Sequence, residues 1–237
     1  MKFWRNEELE QLAETRLAEF EQVRGEATAP PVPIDVLAEQ LFDLRFLWEE
    51  IEELPGETVW GGIRPRERQI VLNERHKDTF LEKPGLERST KGHEIGHWDV
   101  FVDKATLDHP VLFDGEKGGT FALRSGAKGA IVVLLRSEAG QDLLRQIRAR
   151  ADEPDEARVV NRYAAALSMP RDLIRREVSR VDRTLWPNLY RIAETFDVTI
   201  SALVVRLKQL NLLSMSDDGR TLFESREQAQ GQGRLFR

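Results

Sequence analysis

His93-Glu94-Ile95-Gly96-His97 is the stretch on which the interpretation of this chain depends. In a helix, the two histidines lie one turn apart on the same face. Two imidazoles with this spacing can bind one tetrahedral zinc ion. Glu94 lies about 100° around the helix from His93, within reach of a water molecule on that metal. The spacing therefore predicts that His93 and His97 hold zinc while Glu94 acts as general base.

The residues around this stretch continue the helical pattern. The chain has four histidines and two of them fall here, which argues against an incidental surface pair. Pro84 suits the start of a helix, and the periodicity predicts that this helix runs to about residue 102. One face of it is formed by Leu86, Thr90, His93, His97, Val100 and Phe101.

Composition is that of an ordinary soluble globular protein. The 237 residues are 41% hydrophobic and 32% charged. The longest apolar run, residues 130–135, is too short to span a membrane, and the N-terminus lacks an apolar signal core, so we expect a cytoplasmic protein. The absence of cysteine excludes disulfides and thiolate ligands, so a third zinc ligand must be Asp, Glu or His. The net charge of −6 argues against general nucleic-acid affinity.

Hydrophobic periodicity predicts an α+β fold with a small antiparallel or mixed sheet. A turn at Asp217-Asp218-Gly219 predicts a small hairpin between residues 212–215 and 220–223. A second hairpin is predicted between residues 120–124 and 130–136, and a helix over 143–149. The remaining predicted strands are 44–51, 58–63 and 69–73, and the remaining predicted helices are 6–24, 36–42, 84–102, 154–168, 171–181, 187–196 and 201–210.

Three blocks of the sequence resemble the ImmA/IrrE zinc metallopeptidases. Residues 88–98, RSTKGHEIGHW, are similar to the family's R-F-T-x-A-H-E-L-G-H-W. Residues 160–170, VNRYAAALSMP, resemble A-N-x-F-A-A-x-L-L-M-P, the block most specific to the family. Residues 189–213 resemble the L-A-x-x-F-x-V-S-x-x-A-L-x-x-R-L-x-x-L-G-L tail. The blocks occur in the family's order, and the long span after His97 predicts an insertion within residues 104–150.

The resemblance leaves the third metal ligand open. The family places a Glu four residues before the Asn of the second block, but this chain has Ala157 there. Glu156 is offset by only one residue and is therefore the preferred ligand, although an acid in the first turn of a helix also has a purely structural explanation. Glu153 and His109 are the alternatives. His76 is most simply interpreted as a surface residue.

The resemblance implies a zincin-like metallopeptidase domain over residues 1–184, including the insertion. A helix-turn-helix-like module with a small hairpin would follow over 185–224, and then a flexible tail over 225–237. The implied activity is that of a zinc-dependent metalloendopeptidase, with manganese as the alternative metal. Its implied substrate is a helix-turn-helix transcriptional repressor, whose cleavage gives derepression under stress or on mobile-element induction.

Two further hypotheses concern how the substrate is held. A peptide could add as a strand to a sheet edge formed by residues 58–63 or 69–73. Tyr163 is a candidate donor to the developing oxyanion, but its place among the apolar residues of the second block favours packing.

The rival function is a non-catalytic or weakly catalytic regulator that binds DNA or a protein partner. The predicted helices 187–196 and 201–210 with their hairpin resemble a winged helix-turn-helix. Residues 187–224 contain four basic and five acidic side chains, the opposite of the usual bias of a phosphate-binding surface. Residues 158–183 contain seven arginines, which could steer an acidic partner or form a solvated face. DNA binding is therefore the less favoured reading.

Overall fold

The computed structural model describes residues 4–53, 56, 58–107, 122–125, 154–216, 221–225 and 228. Within these residues the fold is α+β, which confirms the predicted class. The predicted helix at residues 143–149 and the hairpin strand at 130–136 lie outside the described residues. The first elements are α1 (Asn6–Arg24), α2 (Ile34–Phe42), β1 (Arg45–Glu49), β2 (Val59–Arg64), β3 (Gln69–Asn73), α3 (Lys77–Glu82) and α4 (Pro84–Val100). The later elements are β4 (Ala122–Ser125), α5 (Pro154–Ser168), α6 (Arg171–Val178), α7 (Trp186–Thr195), α8 (Ile200–Gln209), β5 (Ser214–Met215) and β6 (Leu222–Phe223).

The main sheet is mixed, with strand order β1-β3-β2-β4. β1 runs parallel to β3, whereas β2 is antiparallel to both β3 and β4. Ile63 of β2 is paired with Ile70 on one side and with Ala122 on the other. Both strands suggested as the substrate-binding edge are therefore interior strands, and that hypothesis is wrong. β1 and β4 are the edges among the described strands.

Helix α4 packs against the sheet on one side and against α5 on the other. Gly61 permits the close approach of the sheet, because a Cβ there would lie 3.1 Å from Thr90 Cγ2 and 2.7 Å from the carbonyl oxygen of Val71. α1 also packs along α5. The stretch that carries the histidines is therefore covered on two sides by regular structure.

The buried side chains form two hydrophobic clusters. The first joins α1, α2, the sheet, α4 and α5 around residues such as Phe20, Ile95 and Leu167. The second begins at Met169 and includes Ile174 of α6 together with residues of α7, α8 and β6. It therefore contains residues on both sides of position 184, and the domain boundary placed there stays a prediction.

A buried ion pair connects the N-terminal helix to the helices of the second cluster. Arg206 of α8 is 0% exposed and donates to both carboxylate oxygens of Glu10 of α1, at 2.6 and 2.8 Å. Its Nε also donates to the carbonyl oxygen of Met169, at 3.0 Å. Arg162 and Arg171 lie within 3.5 and 3.7 Å of the Glu10 carboxylate. α1 and α8 are thus joined by charge-assisted hydrogen bonds.

Candidate metal centre

Helix α4 carries three ionisable side chains into the interior. His93 is 1% exposed, Glu94 is 0% exposed and His97 is 2% exposed. Burying a carboxylate and two imidazoles is unfavourable unless each interacts with other groups. A helix serving only as support would carry apolar residues here. The buried polar cluster makes this stretch the candidate functional site.

The two imidazole rings lie side by side and are joined by a direct hydrogen bond. His93 Nε2 and His97 Nε2 are 3.0 Å apart, and their rings are inclined at 75°. Zinc–nitrogen bonds of about 2.0–2.1 Å at a tetrahedral angle would place two ligand nitrogens about 3.3 Å apart. The histidine pair therefore fits a tetrahedral metal ion with only a small adjustment of the rings.

Asn161 determines which nitrogen of His93 carries the proton. Its Oδ1 lies 2.9 Å from His93 Nδ1. A carbonyl oxygen can only accept, so His93 Nδ1 must donate. The neutral ring then has a lone pair on Nε2, which accepts the hydrogen bond from His97 Nε2. Metal-binding histidines in proteins are oriented by hydrogen bonds of this kind.

The proposed third ligand lies beside His97 but nearer to its other ring nitrogen. Glu156 Oε1 is 3.9 Å from His97 Nδ1, and its side chain is 16% exposed. Within the part of the chain that the structure describes, no three His, Asp or Glu side chains already converge as a metal site. Glu153 and His109 lie outside the described residues. The assignment of Glu156 therefore stays a prediction, although the helix that carries it does run beside the histidines.

His76 contacts different groups from the other described histidines. Its Nε2 is 2.5 Å from Glu53 Oε1, and its ring lies 4.9 Å from the ring of Trp60. The side chain is only 21% exposed. The interpretation of His76 as a simple surface residue is therefore wrong, because it belongs to a paired and partly buried cluster beside the sheet.

The backbones of α4 and α5 approach each other closely at the histidines. A Cβ on Gly96 would lie 2.8 Å from Val160 Cγ1 and 3.2 Å from the Val160 carbonyl oxygen. Only glycine at position 96 permits this approach without a shift of the helices. Val160 directly precedes Asn161, so the same contact fixes the position from which Asn161 reaches His93.

A second polar cluster follows the histidines on α4. Asp99 accepts from Arg16 Nε at 2.9 Å, Lys104 Nζ at 2.9 Å and the Tyr163 hydroxyl at 2.8 Å. Burial acts to raise the pKa of Asp99, but the bonds from Arg16 and Lys104 lower it overall. Burial, with the charge of Asp99, raises the pKa of Tyr163. The Tyr163 hydroxyl therefore donates to Asp99 inside the core and does not point toward the histidines. This agrees with the interpretation of Tyr163 as a packing residue.

The cavity bordered by Trp98 is separate from the histidine pair. It has a volume of about 280 Å³ at the C-terminal end of α4. Its cations are already paired, Arg16 and Lys104 with Asp99 and Arg68 with Asp43. The cavity is lined by Arg16, Glu19, Leu41, Phe42, Arg68, Trp98 and Lys104.

Two of the arginines that could have served a nucleic-acid surface are paired with acidic residues of α1. Arg206 lies on the helix that would read DNA in a helix-turn-helix, but it is fully buried against Glu10. Arg171 is paired with Glu7 at 3.0 Å, on α1. These contacts remove positive charge from the surface that phosphate binding would need.

Sequence reasoning missed the roles of Asn161, Asp99 and Glu10. The sequence marks Asn161 only as a member of the second block, and its bond to His93 spans 68 residues. The only hint of this bond in the sequence is that Asn161 follows Val160 in the second block.

No protein-family model matches the chain, and no curated protein matches it either. No helix among the described residues has both the length and the apolar character needed to cross a membrane. The function must therefore be inferred from His93, Glu94, His97 and the groups that surround them.

Proposed function

We propose that this chain is a metal-dependent endopeptidase of the ImmA/IrrE type, with a zincin-like catalytic core. The observation that carries the proposal is the pair of Nε2 atoms 3.0 Å apart, with His93 Nδ1 held by Asn161. The full burial of Glu94 next to the two histidines supports the same function.

His93 and His97 would hold the metal, and Glu156 would complete the site. Zinc bound there would acidify a water molecule and polarise the substrate carbonyl. Glu94 would accept a proton from the attacking water on its carboxylate and pass it to the leaving amine nitrogen.

The substrate we propose is an extended segment of a helix-turn-helix repressor. Both edge strands among the described residues contact α4, β1 through the ring of Phe46 beneath Lys91 Nζ and β4 along its backbone. A peptide that adds to β4 would be held by its backbone close to the helix that carries Glu94. Cutting the linker of a dimeric repressor would separate its DNA-binding part from its dimerisation part and lower operator affinity.

The test combines metal binding with cleavage. Wild-type protein should bind about one zinc or manganese ion per chain, and His93→Ala or His97→Ala should abolish binding. Glu156→Ala should weaken it. Glu94→Gln preserves the size of the side chain and should bind metal normally. Incubation of the wild type with candidate repressors should give one discrete cut, which chelator and Glu94→Gln both prevent.

Two results would contradict the proposal. A chain that binds no metal under any of these conditions cannot be a metallopeptidase. Intact repressor in every assay, together with tight binding to operator DNA or to the uncut repressor, would instead support a non-catalytic regulator.

A further inference from the structure

We propose that the cavity bordered by Trp98 binds a small organic monocarboxylate, whose carboxylate group accepts hydrogen bonds from Arg68 and Trp98. The inference goes beyond the proposed function and does not depend on it, because this cavity is separate from the histidine pair. It is carried by the indole of Trp98, by the cations around that ring and by the apolar side chains beside it.

The indole of Trp98 is a buried hydrogen-bond donor. Trp98 lines the cavity, although the residue is only 2% exposed. Its Nε1 is buried and has no hydrogen-bond acceptor within the part of the chain that the structure describes. A buried N–H group without an acceptor is unfavourable. Because an indole nitrogen can only donate, a ligand that satisfies it must present an acceptor atom.

Two cations stand beside the same indole ring. Arg68 Cζ lies 5.8 Å and Lys104 Nζ lies 5.6 Å from the centre of the Trp98 ring. Lys104 is bound to the buried Asp99, whereas the partner of Arg68 is Asp43, whose side chain is 81% exposed. An exposed ion pair contributes little to stability. Arg68 can therefore exchange Asp43 for the carboxylate of a ligand with little loss.

The balance of charge at the cavity selects a monoanion. The lining cations are Arg16, Arg68 and Lys104, and the lining acid is Glu19. The buried Asp99 accepts from both Arg16 and Lys104. Once a ligand has replaced Asp43 at Arg68, three positive side chains stand against two negative ones. A single carboxylate balances that excess of one positive charge.

The size and the apolar lining of the cavity restrict the rest of the ligand. Leu41 and Phe42 of α2 contribute apolar side chains to its wall. The volume of about 280 Å³ is near the lower end of the range for ligand sites, roughly 300–1,000 Å³. The ligand class is therefore a carboxylate attached to an apolar body about the size of a single aromatic ring.

Phenylacetate is the probe, because it joins one carboxylate to one apolar ring. Phenylacetamide has nearly the same shape without the charge, and acetate has the charge without the ring. The readout is the indole N–H spectrum of the full chain labelled at the indole nitrogens. The chain has five tryptophans, so the signals of Trp98 and Trp186 can be assigned from those lost in Trp98→Phe and Trp186→Phe.

We expect phenylacetate to move the Trp98 signal saturably and to leave the signal of Trp186, which packs against the second cluster, in place. Phenylacetamide should bind at least about tenfold more weakly, because it lacks the charged acceptor for Arg68. Acetate should also bind more weakly than phenylacetate, because it has no apolar body to place against Leu41 and Phe42.

Two matched substitutions test the role of Arg68. Arg68→Gln removes the cation at the cavity, and Arg66→Gln removes the same charge from an exposed residue two positions earlier, which is not among the residues that border the cavity. The Kd of phenylacetate should rise about 10–100-fold in Arg68→Gln and stay unchanged in Arg66→Gln. Both arginines are exposed, so neither substitution should disturb the fold.

Trp98→Phe tests the indole donor, because it keeps an aromatic ring and removes the N–H group. The Kd of phenylacetate, measured by calorimetry, should rise roughly 2–10-fold. Trp186→Phe is the control and should leave the Kd unchanged.

Three results would overturn the inference. They are a Trp98 signal that does not respond to phenylacetate, equal affinities for phenylacetate and phenylacetamide, and equal effects of Arg68→Gln and Arg66→Gln. None of these measurements uses metal binding or cleavage, so a failure here is distinguishable from a failure of the proposed function.

Discussion

At the scale of single residues, Gly92 and Gly96 offer a matched pair. Both lie on α4 and both are buried. A Cβ on Gly96 would meet Val160 Cγ1 at 2.8 Å, whereas a Cβ on Gly92 would have its nearest neighbour, Ser168 Oγ, at an ordinary 3.5 Å. The same substitution therefore has opposite consequences at two positions one turn apart.

We expect Gly96→Ala to lower the free energy of unfolding by about 1–3 kcal/mol, because overpacking must move α4 away from α5. Gly92→Ala should be neutral or stabilising by up to about 1 kcal/mol, since alanine favours the helix. Denaturant unfolding at constant m-value measures both. Equal losses in the two variants would contradict the close approach at Gly96.

The sequence predicts the buried histidines better than it predicts the groups that orient them. His93 and His97 follow from helical spacing, which is a local property. The bond from Asn161 to His93 and the bond from Tyr163 to Asp99 join residues 68 and 64 positions apart. Such contacts depend on which helices pack together, and no periodicity within a segment specifies that.

At the scale of elements, the buried pair of Glu10 and Arg206 connects α1 to α8. Burial acts to raise the pKa of Glu10, but the hydrogen bonds from Arg206 and the charges of Arg206, Arg162 and Arg171 lower it overall. A carboxylate whose folded-state pKa is lowered stabilises the fold above its unfolded pKa. That contribution is lost as the pH falls through the folded-state value.

We expect Glu10→Ala to cost about 3–5 kcal/mol near neutral pH, because Arg206 would keep an uncompensated buried charge. The difference from the wild type should be constant above pH 4.5, the ordinary pKa of the group, and should shrink at lower pH. Urea unfolding at a series of pH values measures it. Glu7→Ala is the control: its side chain is 66% exposed in its pair with Arg171, so its loss should stay under about 1 kcal/mol. A pH-independent difference for Glu10→Ala would count against the pair.

The sequence predicts which segments form helices and strands, but it does not predict the order of the strands in the sheet. The amphipathic pattern of residues 6–24 and the proline at position 154 place α1 and the start of α5 correctly. The parallel pairing of β1 with β3 and the addition of β4 beside β2 are long-range arrangements. Because of these two pairings, β2 and β3, which were expected at the edge of the sheet, are interior strands.

At the scale of the whole molecule, the question is whether the two hydrophobic clusters unfold together. Trp98 belongs to the first cluster and Trp186 packs against the second. The Glu10–Arg206 pair and the contacts between α5 and α8 join them. We infer that the two clusters unfold as a single cooperative unit. Unfolding of one cluster alone would leave Glu10 or Arg206 as an unpaired charge in the folded remainder.

Variants that retain only Trp98 or only Trp186 can report on each cluster by fluorescence. We expect the two midpoints in denaturant to coincide in an otherwise unchanged chain. With Glu10→Ala added, the Trp186 signal should change at a lower denaturant concentration than the Trp98 signal. Separate midpoints without that substitution would show two independently folding parts.

Helix α1 packs against helices that are synthesised much later than α1 itself. Arg206 follows Glu10 by 196 residues, and α5, against which α1 packs, begins only at Pro154. At about 5–20 residues per second, a ribosome needs roughly 10–40 s to cover the distance from Glu10 to Arg206. During that interval the apolar face of α1, formed by Leu9, Ala13, Leu17 and Phe20, has no α5 or α8 to cover it. The apolar face of α1 therefore stays without these two partners until most of the chain has been synthesised.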